Sequence, residues 1–331
     1  MANQPSPLAP GVATGIGSLP HLEPVRAARM VLHAIPQLPA APQLPHRSSH
    51  EQMIVQWLRA LPEVSIDHDG TVELRPHVDG PINTGFDLSA HGGLLAFVAA
   101  ASDAGVSAVK FQTTGPLTLA LALNAAGMAL DHAIDRAVEL AAAWGHALVA
   151  LAHAQLAAAT SLVVFDEPAL VAWARGRAPM SADAAVDALA VVVGSVAVTH
   201  SAVGVHACGD ADLAIAVAGQ PDVVLLESPL ADVDAAPVLA SHLERGGWIG
   251  WGAIPTDAPV RDSVDFYWRA LLAQWDTLSA QGCDGDALRD QAIVHPACGL
   301  AGHDESQAEH ILGLACALGE RVRRESSSVL Q

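Results

Sequence analysis

Short apolar, β-branched runs alternate along the chain with longer Ala- and Leu-rich amphipathic stretches. The runs cover residues 12–17, 108–112, 161–165, 204–206, 223–226, 248–251 and 292–294. Each predicts a buried parallel strand, because a strand covered on both faces is apolar throughout instead of alternating. Helical patterns lie between them, over 88–104, 130–159, 181–199, 233–245 and 260–281. This βα alternation predicts an α/β protein with a parallel sheet. With residues 42–44 as an eighth strand the count approaches eight, and no Gly/Pro/Ser-rich linker divides the chain. The expectation is a single (β/α)8 TIM barrel over residues 1–325, not two domains. One insertion departs from the repeat: residues 64–66 and 71–74 flank Asp67-His68-Asp69-Gly70, which predicts a small surface β-hairpin. Residues 326–331 are small and polar and are set apart as a flexible tail added to the fold.

Composition then narrows the class. At 51% hydrophobic over 331 residues, the chain can bury one large core. Its 16 basic against 35 acidic residues leave a net charge of −19, which repels nucleic acid and anionic membranes over most of the surface. Four cysteines without Cys-rich spacing are no disulfide framework, and residues 1–10 are polar and proline-rich, unlike a secretion signal. The most apolar stretches, such as 188–198, fall short of the roughly 20 residues a bilayer span needs. A soluble, cytoplasmic protein is expected. No Gly-x-Gly-x-x-Gly or Walker-type loop follows a strand, so neither a dinucleotide nor an NTP is expected as ligand.

In a (β/α)8 barrel, reactive groups gather where strands end, so the residues leaving each strand carry the functional argument. Here those exits are Ile16-Gly17-Ser18, residues 110–116, Asp166-Glu167-Pro168, His206-Ala207-Cys208, Glu227 and His295-Pro296-Ala297-Cys298-Gly299. Zinc takes four ligands from thiolate, imidazole and carboxylate, and His206, Cys208, Glu227 and Cys298 supply that set. A His-x-Cys pair alone is ordinary. Glu227 at another strand end and Cys298 in a Pro-x-Cys-Gly turn give it weight. Two thiolates and a carboxylate make an electron-rich centre, better suited to holding a thiolate than to making hydroxide. Cys283 and Cys316 have no such company and read as structural thiols.

The other exits leave two readings each. Asp166 binds the ammonium of an amino acid or, like Glu167, caps a helix. Ser18, with the backbone around Gly17, holds a carboxylate or simply serves a tight turn. Pro116 fits the first position of a helix, whose following amides face an anion. Lys110, the only lysine, is expected in a buried ion pair, with a Schiff base as the rarer alternative.

Thr14-Gly15-Ile16-Gly17-Ser18, Thr114-Gly115-Pro116-Leu117-Thr118-Leu119, Phe165-Asp166-Glu167-Pro168-Ala169-Leu170, His206-Ala207-Cys208, Glu227 and Val294-His295-Pro296-Ala297-Cys298-Gly299-Leu300 occur in this order. Over nearly the full chain this resembles the catalytic C-terminal barrel of the cobalamin-independent methionine synthases, in a short form lacking their N-terminal barrel. The resemblance implies that His206, Cys208, Glu227 and Cys298 carry Zn2+, and that Ile16, Ser18 and Asp166 hold homocysteine. The implied reaction is methyl transfer to the zinc-bound homocysteine sulfur, forming methionine. Ala122 stands where the long enzymes place a tryptophan against folate, and Ala301-Gly302-His303 replace their basic residues. The donor implied is therefore methylcobalamin, a corrinoid protein or another non-folate methyl carrier. Asp257 corresponds to the long enzymes' catalytic histidine. Glu51 is the substitute for a carboxylate that holds the homocysteine amine and aligns near Arg47. Two other classes fit the same residues: a related corrinoid-linked thiol methyltransferase or uroporphyrinogen-decarboxylase-like enzyme, and a zinc-stabilised scaffold that binds a partner protein.

Overall fold

The computed structural model describes residues 8–75, 78, 80–156, 159–230 and 235–328. Its strands are β1 (Val12–Ala13), β2 (Val64–Ile66), β3 (Val72–Leu74), β4 (Ala108–Thr114), β5 (Thr160–Asp166), β6 (Ala202–Ala207), β7 (Val223–Glu227), β8 (Trp248–Ile254) and β9 (Ala292–Pro296). Seven form one parallel sheet in the order β1-β9-β8-β7-β6-β5-β4, so the first strand lies beside the last. β2 and β3 pair antiparallel as the expected hairpin, Val64 opposite Leu74.

Alternate residues along the strands enter two different cores. Val109, Phe111, Val163, Phe165, Val205, Val224 and Trp251 pack outward in the large cluster shared with the helices. Val12, Ile16, Ala108, Leu162, Val164, Val223, Leu225 and Ile293 form a second, smaller cluster on the opposite face. Residues of both edge strands, β1 and β4, meet in that small cluster, so the sheet curls around it.

The gap between β1 and β4 is spanned by residues 39–43. On one side Ala41 N–H donates to the Lys110 carbonyl and Lys110 N–H to the Pro39 carbonyl, both at 2.9 Å. On the other, Gln43 N–H donates to the Gly17 carbonyl and Leu19 N–H to the Gln43 carbonyl, also at 2.9 Å. The sequence pattern predicts a strand at 42–44; the segment instead starts earlier and makes single bridges, Ala40 to Lys110 and Ser18 to Gln43. The cause is proline at 36, 39, 42 and 45, since proline has no N–H to give to a ladder. Side chains reinforce this seam. Thr14 Oγ1 donates to the Leu38 carbonyl at 2.8 Å, Ser18 Oγ to Gln43 Oε1 at 2.8 Å, and Gln112 Nε2 to the Ala41 carbonyl at 2.5 Å.

Helix Leu88–Ala104 matches its predicted bounds, and its N-cap Asp87 accepts from the Ser89 and Ala90 amides. It lies directly on the seam: a Cβ at Gly93 would stand 2.5 Å from the Pro42 carbonyl oxygen. Since backbone must move to admit a methyl group there, Gly93→Ala is expected to cost about 1–3 kcal/mol in urea unfolding. The same helix bends at His91 (φ −130°, ψ 25°), which is buried among the rings of Trp57, Phe86 and Trp144. Burial lowers the His91 pKa to about 4 from 6.5. The unfolded chain therefore binds a proton between those values that the fold does not, so stability falls as pH drops from 6.5 towards 4. Replacing His91 by Phe should remove about 2 kcal/mol of the stability loss measured between pH 7 and pH 4.5. An equal loss in both proteins would contradict a neutral His91.

Two expectations are corrected. Helix Leu130–Gln155 is, by length and composition alone, long and apolar enough to cross a membrane, contrary to the reading that no stretch is. Here Ala137, Leu140, Ala141, Trp144 and Leu148 are buried, and the helix packs against helices Pro116–Ala125 and Ala182–Ala197. The last helix, Glu305–Ser328, runs past residue 325 into the segment set apart as a tail, and Ser326 Oγ donates to the Arg289 carbonyl at 3.5 Å. Residues 329–331, like 233–234 and 157–158 at the ends of predicted helices, lie outside the described residues.

Candidate functional site

Parallel register sets the first contact. Asp166, the last residue of β5, lies opposite His206 on β6. Their side chains meet on the inner face, where the His206 Nδ1–H donates to Asp166 Oδ1 at 3.0 Å and both groups are buried. In the neutral ring this puts the hydrogen on Nδ1 and the lone pair on Nε2. Nε2 is buried and has no protein hydrogen-bond partner. The thiols of Cys208 and Cys298 lie close enough to interact. That interaction draws the Cys298 pKa down, helped by His206, and pushes the Cys208 pKa up, helped by burial. Cys298 is thus the readier thiolate.

Glu227 stands apart from this group. Its Oε2 accepts from the Gly209 amide at 3.1 Å, and it lines a cavity of about 600 Å³ with Ala207, Gly209, Asp212, Leu226 and Leu230. Among the described residues, no three His, Cys, Asp or Glu side chains stand together as a metal-holding group. Of the four predicted ligands the structure pairs Cys208 with Cys298, holds His206 to Asp166 and turns Glu227 towards Gly209, so the four do not stand together as one group. The donor chemistry still suits zinc. The two thiols, and an imidazole whose free nitrogen is buried and whose other nitrogen is fixed by a carboxylate, are donors of the kind zinc takes.

The predicted substrate residues divide. The Ser18 carbonyl accepts from the Leu300 amide at 2.7 Å, which puts the β1 turn beside the Cys298 turn. Ile16 is buried in the inner cluster, and its carbonyl accepts from Lys110 Nζ at 2.8 Å. Glu51 is 1% exposed, with Oε1 accepting from Arg47 Nη1 at 2.7 Å and the Gly92 amide at 2.6 Å. That oxygen is already engaged in joining the turn Ser49–Glu51 to helix Leu88–Ala104. Asp257 is exposed in the loop after β8. The ion pair expected for Lys110 is not formed: its ammonium is fully buried and donates to the Ile16 carbonyl and, at 3.4 Å, to Gln112 Oε1.

Glu167 caps a helix, though a distant one. Its carboxylate accepts from the Leu117 amide at 2.7 Å, the Thr118 amide at 2.8 Å and Thr118 Oγ1 at 2.6 Å. The anion facing the amides after Gly115 is thus the protein's own. The sequence reading missed a chain of amides behind Ser18: Gln43 Nε2 donates to Gln56 Oε1 at 2.6 Å, and Gln56 Nε2 to the Ala90 carbonyl at 2.8 Å. No periodicity marks such a chain; the glutamines beside the Pro-rich segment were its only trace.

A thiol pair and a carboxylate-oriented histidine thus stand near the strand ends of a parallel α/β sheet, the residue types that thiol and metal chemistry use. The family model for the cobalamin-independent synthase catalytic domain matches residues 80–320, and the chain belongs to this family, that of the methionine synthase catalytic domain. Membership carries a methyltransferase-like role. His206, Cys208, Glu227, Cys298, Asp166 and Asp257 fall within the matched span, whereas Ile16, Ser18 and Glu51 precede it. No curated protein matches the chain. Among solved structures, it is similar to an L-ribulose 3-epimerase at 16% identity and TM-score 0.36, covering 73% of this chain and 94% of that one. It is also similar to a xylose isomerase-like TIM barrel/4-hydroxyphenylpyruvate dioxygenase fusion protein at 13% identity and TM-score 0.35, covering 70% of this chain and 42% of that one.

Proposed function

We propose that the protein is a zinc-dependent S-methyltransferase that methylates the thiolate of L-homocysteine to give methionine, taking the methyl group from methylcobalamin, a corrinoid protein or another non-folate donor. The observation that carries this reading is the Cys208–Cys298 thiol pair beside a His206 whose Nδ1 is held by Asp166 and whose Nε2 is free. On this reading the sheet and residues 39–43 form a closed (β/α)8 barrel, with the site at its mouth.

Zn2+, bound by His206, Cys208 and Cys298 with Glu227 as the displaceable fourth donor, would keep a substrate sulfur deprotonated at neutral pH. Asp166 fixes the imidazole so that Nε2 alone faces the metal position. The Ser18 turn, tied to Leu300, holds the amino-acid end of the substrate near Cys298. Where a departing donor needs an acid, Asp257, exposed after β8, is the candidate.

X-ray absorption at the zinc edge tests this. The resting protein should show two sulfur neighbours, and L-homocysteine should add one more. A sulfur count that stays at two with saturating homocysteine would rule out thiol activation by the metal.

A further inference from the structure

We propose that Lys110 is a positioning residue that turns the Ile16-Gly17-Ser18 segment into a receptor for the α-carboxylate of an amino-acid substrate. This deepens, and rests on, the amino-acid thiol reading above.

The ammonium of Lys110 is fully buried on the inner face of the sheet, and no carboxylate lies within ion-pair distance among the described residues. An ammonium removed from water without such a partner costs stability, so ion pairing does not account for its presence. Burial lowers its pKa to about 8, with the charge of Asp166 opposing, so it remains a cation at neutral pH.

What the cation touches is one peptide group. Nζ donates to the Ile16 carbonyl at 2.8 Å, and the other end of that peptide is the Gly17 N–H. A charge-assisted bond to the carbonyl polarises the unit and strengthens its N–H as a donor. Gly17 is buried with φ of 140°, a conformation open to glycine, and no described group accepts from the Gly17 or Ser18 amide. Buried amides are ordinarily paired, so the unpaired donor of buried Gly17, backed by a cation and followed by the half-buried Ser18 amide, forms a place for an anion. Ser18 in turn receives the Leu300 amide, two residues beyond Cys298, so an anion on this turn sits beside the thiols.

The chain has one lysine, which gives protein labelled with 13C-lysine a single Cε resonance. In the zinc-loaded protein, L-norleucine, a carboxylate-bearing amino acid with no thiol, should shift that resonance. Pentylamine, the same molecule without its carboxylate, should not. By calorimetry, Lys110→Met should bind norleucine about ten- to a hundredfold more weakly, the loss of one charge-assisted interaction, while its unfolding midpoint stays level or rises. A purely structural lysine would lower the midpoint and leave the contrast between the two ligands untouched. No resonance shift with saturating norleucine, or undiminished norleucine binding by Lys110→Met, overturns the proposal. The homocysteine reading fails separately, if the cobalt-substituted protein binds norleucine but develops no thiolate charge-transfer band with L-homocysteine.

Discussion

Cys298→Ser protein is expected to lose most of its zinc on dialysis and to show no methyl transfer, while folding with an unchanged far-ultraviolet spectrum. Four-ligand zinc sites are worth about 10–16 kcal/mol, so one lost donor removes on the order of 3 kcal/mol, or two decades in affinity. Cys298 is exposed and carries the lower thiol pKa of its pair, lowered by its interaction with Cys208. Removing it therefore takes away a ligand without opening a core cavity. Metal analysis after dialysis, set beside a thermal melt, decides the matter: a variant that keeps one zinc per chain would show that Cys298 is not a ligand. A variant that loses zinc and also melts far below the wild type would favour a scaffold role for the metal.

Glu167→Leu should be the most destabilising single change near the site, by about 3–5 kcal/mol. The carboxylate is fully buried and receives two amides and a hydroxyl at the start of helix Pro116–Ala125. Leucine fills the space but leaves all three donors buried and unpaired. Glu167→Gln keeps one acceptor oxygen and should lose roughly half as much. Urea unfolding of the two variants measures the ordering. A Glu167→Leu protein within 1 kcal/mol of wild type would mean that water replaces the cap without cost, which the depth of the group argues against.

Much of this was legible in the sequence, because strands covered on both faces announce themselves as apolar runs. The centres of all seven sheet strands and both arms of the hairpin fall where the pattern put them. His206 and Cys208 were readable as a pair because they sit two apart at a strand exit, and Asp166 because it is the first polar residue after an apolar strand. What was not legible depends on contacts far apart in sequence. Local pattern cannot tell that Glu167 reaches back to residues 117–118, or that Lys110 bonds a carbonyl and not a carboxylate. The direction in which Glu227 turns is a matter of one side-chain rotation, which spacing leaves open. Residues 39–43 escaped clean prediction because repeated proline suppresses the ladder that a strand pattern presumes.

The placing of β1 against β9 has a consequence for synthesis. Val12 pairs with Ile293, so the first strand leaves the ribosome long before its principal partner, roughly 15–60 s at usual elongation rates. Over that interval an unpaired strand edge invites association with other chains. The seam supplies an early partner: Thr14, Ser18, Lys110 and Gln112 bond across it entirely within the first 112 residues. The side chains that shape the proposed carboxylate receptor therefore also shelter the nascent N-terminal edge until the last strand arrives to pair with it.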